Sequence, residues 1–409
     1  MTDPDRDVTN RARHDLSQDR ASGRWAWAEI DVDAVRSNVE RLREVVAPSG
    51  LWAVVKANGY GHGVVDVARA ALDGGADGLC VALVQEGVEL RDAGFDVPIL
   101  ILSEQPVDAA STIVEHRLTP TVYSSSGVEA VAGAARAAGI TDVAVHLKID
   151  TGMQRVGVRS DAVGGLVSEI SAHAPTLRLA GVFTHLAVAD DPADPYSSSQ
   201  LATLDAALES AALDRAVATG GLLVHAANSA GGLAHPDARR SFVRAGIAMY
   251  GISPGPAVDD LMAGLRPALS LRARVSFVKH VAAGSRISYG LRHTFATDTT
   301  VATVPIGYAD GVPRRLALTG GAVLIGGRRR PIVGVVTMDQ LLVDCGPVDT
   351  ADTAEGMVAV GDEVVLIGEQ DGPAGPQRIR AEDWADLLGT IGYEIVCGIS
   401  GRVPRRPAP

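Results

Sequence analysis

Residues Leu51 to Gly63 read LWAVVKANGYGHG, an apolar run that ends on an ammonium, Lys56. Continuous apolar, β-branched runs mark strands buried on both faces, the pattern of a parallel sheet. The same texture recurs in GLCVAL from Gly78, PILIL from Pro98, TPTVY from Thr119 and VAVHLKI from Val143. It appears again in LAGVFTHL from Leu179, GLLVHA from Gly221 and FVRAGIAMYG from Phe242. Alanine-rich segments such as VVDVARAALDGG and SGVEAVAGAARAAG lie between these runs and favour helix. Eight strand candidates, mostly alternating with helices, predict an N-terminal (β/α)8 TIM barrel over residues 25–264. A doubly wound open sheet is the competing α/β architecture, but no GxGxxG follows the first strand.

The chain has 409 residues, too many for one typical core. Its first 24 residues, MTDPDRDVTNRARHDLSQDRASGR, hold no apolar segment. They read as a disordered leader, since a secretion signal needs an apolar stretch. Beyond about residue 265 the texture changes. SLRARVSFVKHV, RISYG, TVATVPIGYADG, GAVLIGGRRRPIVGVVTMDQLLVDC and DEVVLIGEQ are short strands broken by Gly, Pro and Asp. Only RAEDWADLLGTIG reads as helix, so residues 265–409 are expected to form a β-rich C-terminal domain.

A formal net charge of −12 argues against nucleic acid or an anionic membrane as partner. No apolar run reaches the ~18 residues of a membrane span. Cys80, Cys345 and Cys397 are far apart and give neither a metal spacing nor a disulfide framework, which points to a cytoplasmic protein. The histidines are dispersed, without HxxxH or HExxH, so no metal is expected.

Of the 37 Lys plus Arg residues only three are lysine: Lys56, Lys148 and Lys279. Two of them fall at the carboxyl ends of barrel strands, where barrel enzymes carry their active sites. The same rim collects Asn58, Tyr60 and His62 after strand one, and Asp150 and Arg155 after Lys148 on strand five. His185 ends strand six, His225, Asn228 and Ser229 follow strand seven, and Arg244 and Gly246 lie on strand eight. A lone His or Lys at a strand end is ordinarily a solvated or satisfied group; convergence from this many strands is not expected by chance. Lys279 has no such company and reads as a structural lysine. An amine can lose its proton and attack a carbonyl, whereas a guanidinium cannot. Schiff-base chemistry, with a substrate or with pyridoxal phosphate, is therefore the expected use of Lys56. Backbone amides around Gly246 and Ile247, the Ser229 hydroxyl and a tyrosine would supply phosphate donors.

AVVKANGYGHG resembles the cofactor-lysine signature of the alanine racemases. The likeness continues through HLKIDTGMQRVGV, FTHLAVAD, HAANSAG, VRAGIAMYGISP, ISYG, VPIGYADG, GVVTMDQ and GYEIVCGISGRVPR, from about residue 25 to 405. The resemblance implies a pyridoxal 5'-phosphate enzyme acting on L- and D-alanine as a homodimer with composite active sites. It makes Lys56 the cofactor anchor and one of two acid–base groups. Tyr289 becomes the other, reaching the opposite face of the cofactor from the partner subunit. It sets Arg244 against the pyridine nitrogen, with His225 in support, and implies cofactor contacts for Tyr60, Asn228, Ser229, Gly246, Ile247 and Tyr393. Arg155 would meet the cofactor's phenolic oxygen and the substrate carboxylate, which Met338 of the partner also binds. His185 would orient Tyr289, and Tyr308 would narrow the substrate entrance, with Arg314 and Asp339 around it. Lys148 matches a lysine that some members carry as a carbamate. D-alanine for peptidoglycan is the implied physiological product.

Phe183 departs from the family pattern, which has Tyr before the histidine at 185, and Thr337 sits at a position where members vary. A racemase of serine or broader specificity is the nearest alternative. A lone-barrel carrier protein of pyridoxal phosphate is disfavoured by the β-rich domain. A decarboxylase would set Glu against the pyridine nitrogen, where strand eight offers Arg244.

Overall fold

The computed structural model describes residues 23–209, 213, 221–347 and 357–408. The segment read as a leader lies, apart from Gly23 and Arg24, outside the described residues. The apolar runs form eight short strands: β1 (Gly50–Val54), β2 (Gly78–Val81), β3 (Ile99–Ile101), β4 (Thr121–Val122), β5 (Val143–Asp150), β6 (Leu177–Phe183), β7 (Leu223–His225) and β8 (Phe242–Ala245).

Parallel ladders join β8 to β1, β1 to β2 and β2 to β3. A bridge between Leu100 and Thr119 links β3 to the residues leading into β4. Ladders then continue from β4 through β5 and β6 to β7. The ring closes where Ser241 N donates to Val224 O at 2.8 Å and Arg244 N donates to Ala227 O at 3.1 Å. Its strands are buried along nearly their whole length because helices cover the outer face. Inside, rings from successive strands stack. Phe183 lies on His225 with centroids 4.5 Å apart, His225 on Phe242 at 4.2 Å, and Phe242 on Trp52 at 4.5 Å.

The β-rich unit is built on a ten-stranded sheet. Its strands are Ala26–Ile30, Leu269–Arg274, Phe277–Val281, Thr299–Val304, Ala322–Ile325, Arg328–Val333, Leu341–Pro347, Glu363–Gln370, Gln377–Ile379 and Arg405–Pro407. LSLRAR at Leu269–Arg274 alternates apolar-in with polar-out, the period-two pattern of a strand packed on one face.

The two compact units interleave along the chain. Met1–Glu29, Ser270–Arg380 and Ile399–Arg406 group together, and Ile30–Leu269 groups with Ala381–Gly398. Residues Ala26–Ile30 leave the barrel because their backbone pairs elsewhere: Ala28 N donates to Pro404 O, and Arg274 N donates to Trp25 O, both at 2.9 Å. The helices Ala381–Leu388 and Gly392–Cys397 join the barrel unit because their apolar faces are buried there, and Glu382 accepts the amide of Ser253 at 3.1 Å.

Candidate active site

A cavity of about 500 Å³ opens at the carboxyl ends of the barrel strands, within the range of small-molecule sites. Lys56, Tyr60, Lys148, Arg155, His185, Asn228, Ser229, Arg244, Gly246, Ile247 and Tyr393 all line it. Phe183, Ser103, Leu102, Ala82, Val54, Val156 and Cys397 complete the wall.

Lys56 follows β1 at an abrupt reversal of backbone hand. Ala57, Asn58, Gly59, Tyr60 and Gly61 have φ of 53°, 53°, 61°, 51° and 81°. Gly61 N donates to Ala57 O at 2.9 Å, which closes one left-handed helical turn. Each non-glycine residue held in that region costs roughly 1–2 kcal/mol, so the turn must be fixed from outside. Asn58 Oδ1 accepts from Val64 N at 2.9 Å. A side chain on Gly61 would drive its Cβ to 2.3 Å from Val396 O. The turn carries Lys56 and Tyr60 on one wall. Burial, then the nearby Arg155, lowers the Lys56 pKa below the usual lysine value.

Across the cavity, Arg244 is fully buried and tightly held. Its Nη1 donates to His225 Nδ1 at 2.8 Å, and its Nη2 donates to the carbonyls of Thr184 and Ala226, each at 2.9 Å. Nη2 also reaches His185 Nδ1 at 3.2 Å. Burial lowers the Arg244 pKa to about 10, which leaves it cationic at neutral pH. A guanidinium only donates, so both histidines accept on Nδ1 and carry their proton on Nε2. Burial and then the Arg244 charge push their pKa values well below the usual histidine value, and both stay neutral. His225 Nε2 passes its hydrogen bond to His146 Nδ1 at 2.9 Å. Burial holds His146 down to about 3, and it too is neutral. Sequence reasoning missed His146, although its period-two spacing from Lys148 on β5 puts it on the same face.

Ser229 Oγ accepts from Gly246 N at 2.8 Å and Ala248 N at 3.3 Å, and the hydroxyl hydrogen remains to be donated. A Cβ on Gly246 would stand 2.7 Å from Tyr60 Oη, so a side chain there would displace that hydroxyl. Burial raises the pKa of Tyr60 and of Tyr393, so both remain hydroxyl donors. Asn228 also shapes the backbone: its side chain caps the helix Ser229–Ala234 through Gly231 N at 2.9 Å. Asp150 Oδ1 shapes the loop bearing Arg155 by accepting from Gly152 N and Gln154 N, both at 3.0 Å. Lys148 lies 5.4 Å above the Phe183 ring, and burial followed by Arg244 and Arg155 lowers its pKa to about 8. Arg244 lies 5.3 Å from the same ring, so the Phe that departs from the family pattern offers its ring to two cations.

The remaining expected residues belong to the β-rich unit and are exposed. Tyr289 is 74% exposed, Met338 52% and Tyr308 42%. Tyr289 begins a short turn tied down by Ser288, whose Oγ donates to Val335 O and accepts from Val335 N, each at 3.2 Å. Tyr308 N donates to Thr337 O at 2.9 Å and Ala309 N to Met338 O at 3.0 Å, which sets Tyr308 beside Met338. Arg402 braces this region by pairing with Asp339 at 2.7 Å and with buried Asp310 at 3.3 Å. Among the described residues no group of three or more His, Cys, Asp or Glu could hold a metal, and no helix is long and apolar enough to cross a membrane.

Residues 30–254 match the family model described as alanine racemase, N-terminal domain, and residues 268–407 match alanine racemase, C-terminal domain. An alanine racemase of Symbiobacterium thermophilum is 47% identical, over 93% of this chain and 96% of its own length. The solved structure of alanine racemase from Streptomyces coelicolor is 40% identical with a TM-score of 0.83, covering 94% of this chain and 98% of that one. A histidine racemase from Leuconostoc mesenteroides has the same fold at a TM-score of 0.81 and 28% identity, covering 95% of this chain and 99% of its own. With both family domains matched in order and near-complete coverage at this identity, the chain belongs to the alanine racemase family.

Proposed function

We propose that the protein interconverts L-alanine and D-alanine with pyridoxal 5'-phosphate as cofactor. The observation that carries this reading is a lysine of depressed basicity facing two arginines, a second lysine and a set of neutral hydroxyl donors in one cavity. The residues fit the cofactor. Tyr60, Ser229 and Tyr393 offer hydroxyls to a phosphate beside the space that a Cβ on Gly246 would fill, and the Ile247 amide joins them.

When bound, pyridoxal phosphate supplies an electron sink for the pair left on Cα when its proton is removed. Lys56 anchors the cofactor through its amine and moves the proton on one face of Cα. Proton return on the other face needs a second base, assigned to Tyr289. The exposure of Tyr289, Tyr308 and Met338 supports their acting in the cavity of a second copy, as a homodimer. His185 carries its proton on Nε2 and can donate to the Tyr289 oxygen, favouring phenolate, and cationic Arg155 acts in the same sense. His225, Thr184 and Ala226 fix the Arg244 guanidinium, and an N–H left over from these bonds would face the pyridine nitrogen. A guanidinium that retains its proton would leave that nitrogen unprotonated and so would moderate the sink. Arg155 and the Met338 amide bind the substrate carboxylate. The product serves peptidoglycan synthesis in the cytoplasm.

Circular dichroism of L-alanine, L-serine and L-histidine turnover tests the substrate. A hydroxymethyl in place of methyl at an entrance narrowed by Tyr289 and Tyr308 should lower kcat/KM by roughly 10–200-fold. Equal rates on alanine and serine would favour the broader-specificity reading, which the shared fold of the histidine racemase keeps open.

Lys148 is assigned as a carbamate. With its pKa at about 8, part of the amine is neutral near physiological pH and can add to carbon dioxide, releasing one proton. The anion formed would face Arg155 and Arg244 in place of a third cation. Protein equilibrated with ¹³C-bicarbonate should show one slowly exchanging carbonyl resonance, absent from Lys148→Arg. A spectrum identical to that of the variant would refute the carbamate.

A further inference from the structure

The left-handed turn after Lys56 is fixed at its far end by Asn58, through Val64 N, and by the fit of Gly61 against Val396. The end next to Lys56 is held by a side chain from elsewhere. Ala57 N donates to Glu86 Oε1 at 2.6 Å. Glu86 Oε2 accepts from Ala82 N at 2.8 Å and from Leu83 N at 3.1 Å. Ala57 follows β1, Ala82 and Leu83 follow β2, and Glu86 lies in the first turn of the helix Val84–Asp92. One carboxylate therefore satisfies three backbone amides and bridges the ends of two neighbouring barrel strands. Capping of its own helix would need only the Oε2 contacts. The contact to Ala57 is the additional one, and it is made at the peptide that joins Lys56 to the strained turn.

We propose that Glu86 is a positioning residue of the site. Its carboxylate locks the left-handed turn and thereby keeps the Lys56 amine and the Tyr60 hydroxyl aimed into one cavity. The proposal rests on Lys56 as the cofactor anchor. The charge of Glu86 has a second effect: burial and Arg155 lower the Lys56 pKa, and Glu86 opposes them, with Cys397 and Cys80 acting in the same direction less strongly. Glu86→Gln removes the charge and leaves one good acceptor oxygen where there were two. Glu86→Ala removes both.

The test compares the parent, Glu86→Gln and Glu86→Ala. In the holoenzymes, kcat should fall roughly tenfold in Glu86→Gln, the scale of one charge-assisted hydrogen bond, and further in Glu86→Ala. KM should change less, and the Tm of Glu86→Gln should stay within a few degrees of the parent. In cofactor-free protein, competitive acylation of Lys56 against exposed Lys279 reports the Lys56 pKa, which should move to lower pH in Glu86→Gln. A purely structural glutamate would lower Tm and the active fraction together and leave that pKa in place, and this result overturns the proposal. Borohydride trapping of pyridoxal phosphate, located by peptide mass, keeps the two questions apart. Label missing from Lys56 in the parent overturns the anchor assignment and this proposal with it. Label on Lys56 with kcat and acylation midpoint unchanged in Glu86→Gln overturns the role of Glu86 alone.

Discussion

Lys56→Ala should reduce racemisation by at least ~10⁴-fold, to the limit of detection, because the anchor and one of the two proton-transfer groups are lost together. Lys148 is the other amine lining the cavity, and its assignment as a carbamate removes it as a substitute. Lys148 stands on a different strand, 92 positions later, and Lys279 belongs to the β-rich unit. The variant should leave pyridoxal phosphate removable by dialysis, with no cofactor mass retained on the protein after borohydride treatment. Folding should survive, since the left-handed turn is held through backbone amides and Asn58 rather than through the Lys56 side chain. A variant that keeps near-parental turnover, or that still traps cofactor covalently, would remove Lys56 from the mechanism.

Tyr289→Phe should lower kcat by roughly 10²–10⁴-fold, the range for loss of one general acid–base group, and its effect should be directional. The hydroxyl moves a proton on one face of Cα only. Solvent deuterium should still enter Cα from the enantiomer whose proton Lys56 takes, with the label returned to the same face and little inversion. From the other enantiomer, wash-in should fall with kcat. Stability should be unaffected, because the side chain is exposed and the turn below it is fixed by Ser288. Equal loss of exchange from both enantiomers would contradict a division of labour between two bases.

The barrel was legible because its strands are continuous apolar runs and its helices are alanine-rich, two textures that seldom mimic each other over eight repeats. The rim residues were legible for the same reason: a polar residue that ends such a run faces the mouth. The left-handed turn was not. Gly59 and Gly61 are permissive of positive φ, but Ala57 and Tyr60 are not, and what holds them there is Glu86 and Val396, distant in sequence. His146 and Cys397 escaped notice because a lone His in a strand and a lone Cys after a helix are more often core than site. The helices at Ala381–Cys397 read correctly as helix, but their partner surface is a tertiary fact that local pattern does not encode. The assignments of Tyr289, Tyr308 and Met338 came from motif resemblance alone; no spacing rule links loops of a β-rich unit to the mouth of a barrel.

The strand Ala26–Ile30 has a consequence for how the chain is made. It lies between Leu269–Arg274 and Arg405–Pro407 in the sheet, so this strand leaves the ribosome with both of its partners far downstream. About 240 residues separate Ile30 from Leu269. At ~5–20 residues per second, that is roughly 12–50 s during which AWAEI waits with unpaired edges. A segment of three residues, Arg405–Pro407, covers its other side later still. The β-rich unit therefore completes its sheet only once Arg405–Pro407 has been made, whereas the eight barrel strands are all available well before.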